Sequence, residues 1–453
     1  MNSKTVHTKA TFTQGSVFQA LIRFAGPVLL ALILQAAYGA VDLLIVGRFH
    51  PVAVGAVGTG SNIMHMITVV ITGLSTGATV MIGQHIGEKD KEAAGRAAGT
   101  AVVLFAAVAL FLTVVTECFA FPFAKLLNVS EQDGALDECV SYLRICAAGI
   151  PVIIAYNVIS GILRGAGNSR LPLLFVAIAC AVNIAGDLLL VKTLDMGAAG
   201  AAIATVAAQG VSVLCSVFVL KRGNIPISFG KKYIRVDRTE MKKILSVGAP
   251  IALQEFMVQI SFMVINGVTN SIGTGHTAAD AYAIAQKMIS FIMLVPSSVA
   301  QSTSAFTAQN IGAGQRERAK DGVVCAILTG AALGIGIFFA AYLYGGELCR
   351  LFLTGDTADS ENVIMLATQF LKGFAPDCIL TCALFSSIGY FNGCGKSIPV
   401  MAQGISAAFL VRIPVCLLMS GIAENTMYYI GCATPITTVY GIIFFIICFL
   451  KSD

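Results

Sequence analysis

Long apolar runs recur from one end of this chain to the other, each about the 20 residues that an α-helix needs to cross the hydrocarbon of a bilayer. They cover residues 21–46, 54–82, 97–121, 136–161, 171–191 and 197–220, then 244–272, 278–308, 323–344, 363–390, 398–420 and 426–450. In hydrocarbon a backbone N–H or C=O finds no water, so a spanning segment must satisfy itself as a helix or close into a barrel. No run of alternating ten-residue strands suggests a barrel. The sequence therefore predicts an all-α integral membrane protein with twelve transmembrane helices. Composition agrees, at 57% hydrophobic and only 12% charged, far from the balance of a soluble domain.

The polar start, with Lys4 and Lys9, lacks the short apolar region and small-residue cleavage site of a signal peptide, so the first run is expected to remain as a membrane helix. Positive charges set the orientation. With the N-terminus inside, Lys89, Lys91, Arg96, Arg164, Arg170, Arg316, Arg318, Lys320, Lys396 and Lys451 collect on one face of the membrane, together with a connector holding eight Lys or Arg over 221–243. Arg48, Lys125, Lys192 and Arg350 are left to the other. The expectation is a multi-pass protein of the inner (plasma) membrane with both termini cytoplasmic. The net charge of +5 then reflects topology and not nucleic-acid binding. The 13 cysteines are scattered through apolar runs without a C-x-x-C pair, as expected of small hydrophobes and not of a disulfide framework or a metal site.

The chain repeats itself. GQHIGEKDKEAAGRA from Gly83 pairs with AQNIGAGQRERAKDG from Ala308, Gln84 and Gln309 standing 225 positions apart. GILRGAGNSRLP from Gly161 matches GYFNGCGKSIP from Gly389, and Pro27 and Pro250 open the first span of each half. Two units with an even number of spans enter from the same side and are related by an axis along the membrane normal, an arrangement found in transporters. The expected lobes are 1–225 and 226–453, joined by the basic connector with its Pro226 and Gly230 breakers. Gly395-Lys396-Ser397 resembles the end of a phosphate-binding loop, but Tyr390 stands where that motif needs glycine, and no strand precedes it. Its repeat partner is Gly167-Asn168-Ser169, so a tight turn with glycine at positive φ is expected at both places. Gly55, Gly58 and Gly60 read as close helix packing, not as a dinucleotide fingerprint.

Residues 177–191, AIACAVNIAGDLLLV, are apolar enough for a membrane interior yet carry Asn183 and Asp187 at i and i+4, on one helix face. Burying a carboxylate in hydrocarbon costs several kcal/mol, so such a group faces the bundle interior or a watery cavity and handles ions, protons or substrate. An interhelical hydrogen bond is the structural alternative, which Asn alone could supply.

Taken together, the Pro27–Gly47 segment with Asp42 in AVDLLIVGR, the two Q-x-I-G loops, the G-x-L-R-G-A-G-N turn and N-I-A-G-D followed by GAAGAAIAT resemble the multidrug and toxic compound extrusion (MATE) family, over nearly the whole chain. The resemblance implies two pseudo-symmetric six-helix lobes around a central cleft, and export of cationic or amphipathic drugs by antiport with H⁺ or Na⁺. It is closest to the bacterial and archaeal branch with its acidic site in the N-terminal lobe. On that likeness Asp42, Asn183, Asp187 and Thr205 would handle the coupling ion, as H⁺ or as Na⁺ on their oxygens, and Asn157 would join them from the fourth helix. Counted at about 1.5 Å per residue, Asp42, Asn183, Asp187 and Thr205 all fall in the outer half of the membrane and could share one pocket. The coupling ion is the sole cofactor implied. The partners are small organic compounds and the bilayer, and a monomer is expected.

The second half departs from the best-known Na⁺-coupled pattern. Glu255 sits about a turn early relative to Pro250, and Asp377 about a turn early relative to Gly389. With Lys287, too deep in its span to snorkel easily, and Arg412, these two acids are the expected substrate-cleft residues. A structural ion pair between Lys287 and Glu255 is the plainer alternative. The expected function is secondary active drug export by alternating access. A lipid-linked oligosaccharide flippase of related architecture would require a cationic cleft. A channel would need a continuous polar stripe, and an enzyme a catalytic constellation that the sequence does not contain.

Overall fold

A computed structural model of the chain describes residues 12–50, 53–126, 134–222, 227–228, 230–270, 276–351, 360–421 and 426–451. Lys4, Lys9 and Pro226 lie outside this set. The described residues are nearly all helical, because only a helix satisfies its own backbone in lipid. In order they form α1 (Val17–Phe49), α2 (Ala53–Gly87), α3 (Lys91–Leu126), α4 (Ala135–Gly165), α5 (Arg170–Asp187), α6 (Gly197–Arg222), α7 (Arg238–Asn270), α8 (His276–Ile292), α9 (Leu294–Gly312) and α10 (Arg316–Arg350). Then come α11 (Ser360–Phe374), α12 (Asp377–Gly393), α13 (Ser397–Ser406), α14 (Ile413–Ser420) and α15 (Thr426–Leu450). Two π-helical segments interrupt them, Leu188–Thr193 directly after α5 and Ala407–Arg412 between α13 and α14.

Eleven stretches are long and apolar enough to cross a membrane, and α11 with α12 makes one more. That last span is not the single helix expected over 363–390. It bends by 50° between Phe374 and Asp377, where Pro376 lacks an N–H and disfavours helical geometry in the residue before it. The span over 278–308 is likewise interrupted at Met293, between α8 and α9, with Pro296 in the first turn of α9. Large apolar side chains such as Leu110, Phe111, Leu214, Leu328 and Leu418 point outward and are largely exposed, which suits a lipid-facing surface.

By packing, the described chain forms two compact units. The first takes 12–15, 26–252 and 308–314, and the second takes 16–25, 253–307 and 315–451. The units thus depart from the expected halves 1–225 and 226–453: the first also holds the start of α7 and the end of α9, and 16–25, with the first turns of α1, go to the second. The reason is local. Ser228 N donates to Lys91 O (3.2 Å), Asp237 N to the Thr100 hydroxyl (3.1 Å), and that hydroxyl to Arg235 O (3.3 Å), so the connector lies along the start of α3. Gln309 Nε2 donates to Gly165 O at the end of α4 (2.9 Å). The two Q-x-I-G segments are accordingly the last turns of α2 and α9, not loops. The first unit's core is built from small and branched side chains of α2, α3 and α4, among them Val80, Ala98, Ala101, Ile150 and Ile154. In the second unit Tyr282, Phe370, Phe374, Cys378 and Met427 occupy the same role.

Asp90 caps α3, accepting from Glu92 N (3.0 Å) and Ala93 N (2.8 Å), and the Ala93 bond holds its carboxyl below the usual carboxylate range. Asn168 caps α5 and Asp237 caps α7 in the same way. Gly167 and Gly395 take φ of 82° and 75°, as the turn reading of both G-x-S segments requires.

Candidate functional site

The site is assembled by α1, α5 and α6 within the first unit. Asn183 and Asp187 stand one turn apart on α5, 1% and 0% exposed, and Asp42 of α1 is 5% exposed. Between α5 and α6 the chain reverses through Asp195 and Gly197, both at positive φ. α6 then returns against α5 so tightly that a Cβ on Gly186 would stand 2.9 Å from the Cβ of Ala204. That approach brings the next residue, Thr205, within reach, and Asn183 Nδ2 donates to Thr205 Oγ1 at 3.3 Å.

Asp42 and Asp187 lie close enough for their carboxyls to interact. Asp42 Oδ1, Asn183 Oδ1 and both Asp187 oxygens are buried without a hydrogen-bond partner. Buried acceptors in this number are costly unless something positive reaches them. A proton between the carboxyls would satisfy two of them, and a hard cation such as Na⁺ takes oxygen ligands of this kind.

Two further side chains belong here that sequence reasoning missed. Tyr38 stands one turn before Asp42, and Gln209 one turn after Thr205, and Gln209 Nε2 donates to the Tyr38 hydroxyl at 3.2 Å. The signal was the spacing of four on each helix. Asn157 has other contacts. Its Nδ2 donates to Ile153 O (2.9 Å) and its Oδ1 accepts from Thr72 (3.5 Å), so it is held against α2.

Beyond the acidic pair the same helices meet again. Eight residues past Asp42 and eight past Asp187, His50 Nε2 and Asp195 Oδ1 are 2.9 Å apart. Between Asp187 and that contact lies the π-helical Leu188–Thr193, and such segments concentrate at functional positions.

Where α2 ends and α7 begins, the first unit holds a charge cluster with no sequence signal. His85 and Glu240 are 7% and 4% exposed and 3.0 Å apart, and Glu88 (2.9 Å from His85) and Lys243 (3.2 Å from Glu240) extend the pair outward.

In the second unit, Asp377 begins α12 and is 1% exposed. Arg412 ends the π-helical segment, donates from Nη1 to Ser261 Oγ (3.2 Å) and lies 4.7 Å from the centre of the Phe262 ring. Glu255 is half-buried on α7. Lys287 is exposed on α8, on a face with Asp280, Ala283 and Ser290, and among the described residues it makes no ion pair with Glu255.

The MatE family model matches residues 27–189 and 250–418, one segment in each half of the repeat. A probable multidrug resistance protein, YpnP of Bacillus subtilis, is 28% identical over 90% of both chains. A probable multidrug resistance protein NorM of Thermotoga maritima is 26% identical, over 88% of this chain and 85% of that one. Among solved structures, a MATE protein crystallised in complex with MaL6 superposes with a TM-score of 0.90 at 21% identity, covering 97% of each chain.

Proposed function

Because this chain belongs to the MATE family of multidrug efflux transporters, we propose that it is a secondary active antiporter that exports cationic or amphipathic compounds against an inward flow of H⁺ or Na⁺, with Asp42 and Asp187 as the coupling site. What supports this reading is the closeness of those two buried carboxyls, three of whose oxygens lack a hydrogen-bond partner, as does Asn183 Oδ1 one turn before Asp187. The charge balance makes them a coupling device. Two buried carboxylates that are both ionised and unpaired cost several kcal/mol, so the pocket takes up positive charge, either as the coupling ion or as the cationic end of a drug. It does not hold both. An ion arriving from outside displaces the drug, and a drug arriving from the cytoplasm displaces the ion. Alternating exposure of the pocket to the two sides then converts this exclusion into transport.

In this reading Asn183 and Thr205 orient the pocket, and Tyr38 with Gln209 closes the turn below it. Both termini are cytoplasmic, the membrane is the plasma membrane, and a single chain carries the whole acidic site, so a monomer suffices. Asp377, Arg412, Glu255 and Lys287 contact substrate. The test is ethidium export from proteoliposomes of the purified protein under an imposed H⁺ or Na⁺ gradient. Export driven by one of these gradients and abolished when it is collapsed is expected. Ethidium flux that merely equilibrates, indifferent to either gradient, would rule the reading out.

A further inference from the structure

Asp377 and Arg412 lie within electrostatic reach of one another, yet they form no ion pair. Each is held by something else. Asp377 sits in the first turn of α12, immediately after the bend in its span, where the helix dipole favours a carboxylate and the Thr438 hydroxyl is its side-chain neighbour. Arg412 is fixed through Ser261 and the Phe262 ring. A guanidinium carries five N–H groups in a rigid fork. Here Nη1 is used by Ser261, one face is covered by Phe262, and Nε is buried without a partner. Both Asp377 oxygens are buried as well, with the Thr438 hydroxyl beside them. A buried cation and a buried anion that do not touch leave each other uncompensated at a cost of several kcal/mol. A polar group reaching the unpartnered side of the guanidinium would relieve part of that cost.

The repeat sharpens the point. At the 228-position offset that relates Gly161 to Gly389, Asp187 corresponds to Val415, one helical turn from Arg412. One turn from the position equivalent to that carboxylate, the second half carries a guanidinium with an aromatic ring against it.

We propose that Arg412 is the anchor of a subsite in the second unit for the carboxylate of an amphipathic aromatic compound, with Phe262 bearing on its apolar body. The idea rests on the transport function argued above, and it widens the substrate class beyond cations. Bidentate guanidinium–carboxylate pairing away from water is strong and directional. The nearby Asp377 weakens it by repulsion and keeps the subsite releasable.

The test uses a matched fluorescent pair, 7-diethylaminocoumarin-3-carboxylic acid and its ethyl ester, bound to the full chain in lipid nanodiscs, with empty nanodiscs subtracted. Arg412→Gln is expected to weaken the acid about tenfold or more and to leave the ester within about twofold. Arg412→Lys keeps the charge without the fork and should fall between. Asp377→Asn, by removing the repulsion, should tighten the acid severalfold. Each variant is checked for folding by its thermal melting in detergent. Equal weakening of acid and ester by Arg412→Gln, or no weakening of either, overturns the proposal. So does an Arg412→Lys variant that melts like the parent yet loses both ligands. Gradient-driven ethidium export by the unsubstituted protein is read separately, so a failure of this subsite is distinguishable from a failure of the transport reading.

Discussion

Asn183 spends its amide on Thr205, Nδ2 to Oγ1 at 3.3 Å, and so keeps its carbonyl oxygen free of donors beside the Asp187 carboxylate. The hydroxyl of Thr205 therefore acts at one remove, by fixing which end of the amide the pocket sees. Thr205→Val removes that acceptor at nearly constant shape. Ethidium export should fall about fivefold, the weight of roughly 1 kcal/mol for one hydrogen bond, and the dependence on coupling-ion concentration should shift with it. Thr205→Ser should restore both. A Val variant with unchanged ion dependence would make Thr205 a packing residue only.

Asp187→Asn removes one of two neighbouring carboxyls while preserving size, and Asn can still be inserted and folded in a membrane helix. Export should drop to background, and addition of ethidium should no longer release protons from the purified protein in weakly buffered solution. If the variant exports normally with its ion dependence unchanged, the coupling site lies elsewhere, and Glu255 with Asp377 become the residues to substitute next.

Lys287 points into an exposed polar face of α8 that also carries Asp280 and Ser290. An ammonium at that depth is stable only against water or substrate. Lys287→Met should leave the expressed amount and melting temperature as they are while changing which compounds are exported, improving cations relative to neutral amphiphiles. An export spectrum identical to the parent's would return Lys287 to a structural role.

His85 and Glu240 are expected to stabilise the fold, as a buried pair 3.0 Å apart. Replacing His85 by Ala leaves Glu240 buried with only Lys243 beside it, and breaking such a pair costs roughly 3 kcal/mol. The thermal midpoint in detergent should drop by several degrees. The double replacement His85→Leu with Glu240→Leu should recover most of the loss, because neither charge is then stranded.

Helix number, the membrane setting, the internal repeat and the Asn183–Asp187 pair of α5 were legible because hydrophobic length and i,i+4 spacing are written in the residues themselves. Asp42 became legible through resemblance and depth, and the fold then placed its carboxyl close to that of Asp187. Other features depend on which helices touch. Tyr38 and Gln209 are ordinary polar residues until α1 and α6 are adjacent. His85 and Glu240 are 155 positions apart and carry no common motif. The bend before Asp377 was signalled by Pro376, but prolines also sit inside continuous helices here, at Pro27, Pro151 and Pro435. Whether such a proline bends a span or is absorbed depends on its neighbours.

The π-helical turn after Asp187 accommodates more residues per turn than an α-helix does. Rewinding one residue of Leu188–Thr193 into α geometry would swing everything beyond it by about 100° around the helix axis. Asp187, on the near side of that slack, would keep its place near Asp42. Lys192 and Asp195, on the far side, would sweep to new bearings, and the grip of Asp195 on His50 would have to open. The segment beyond α5 is therefore built so that its setting could change while the acidic pocket stayed in register.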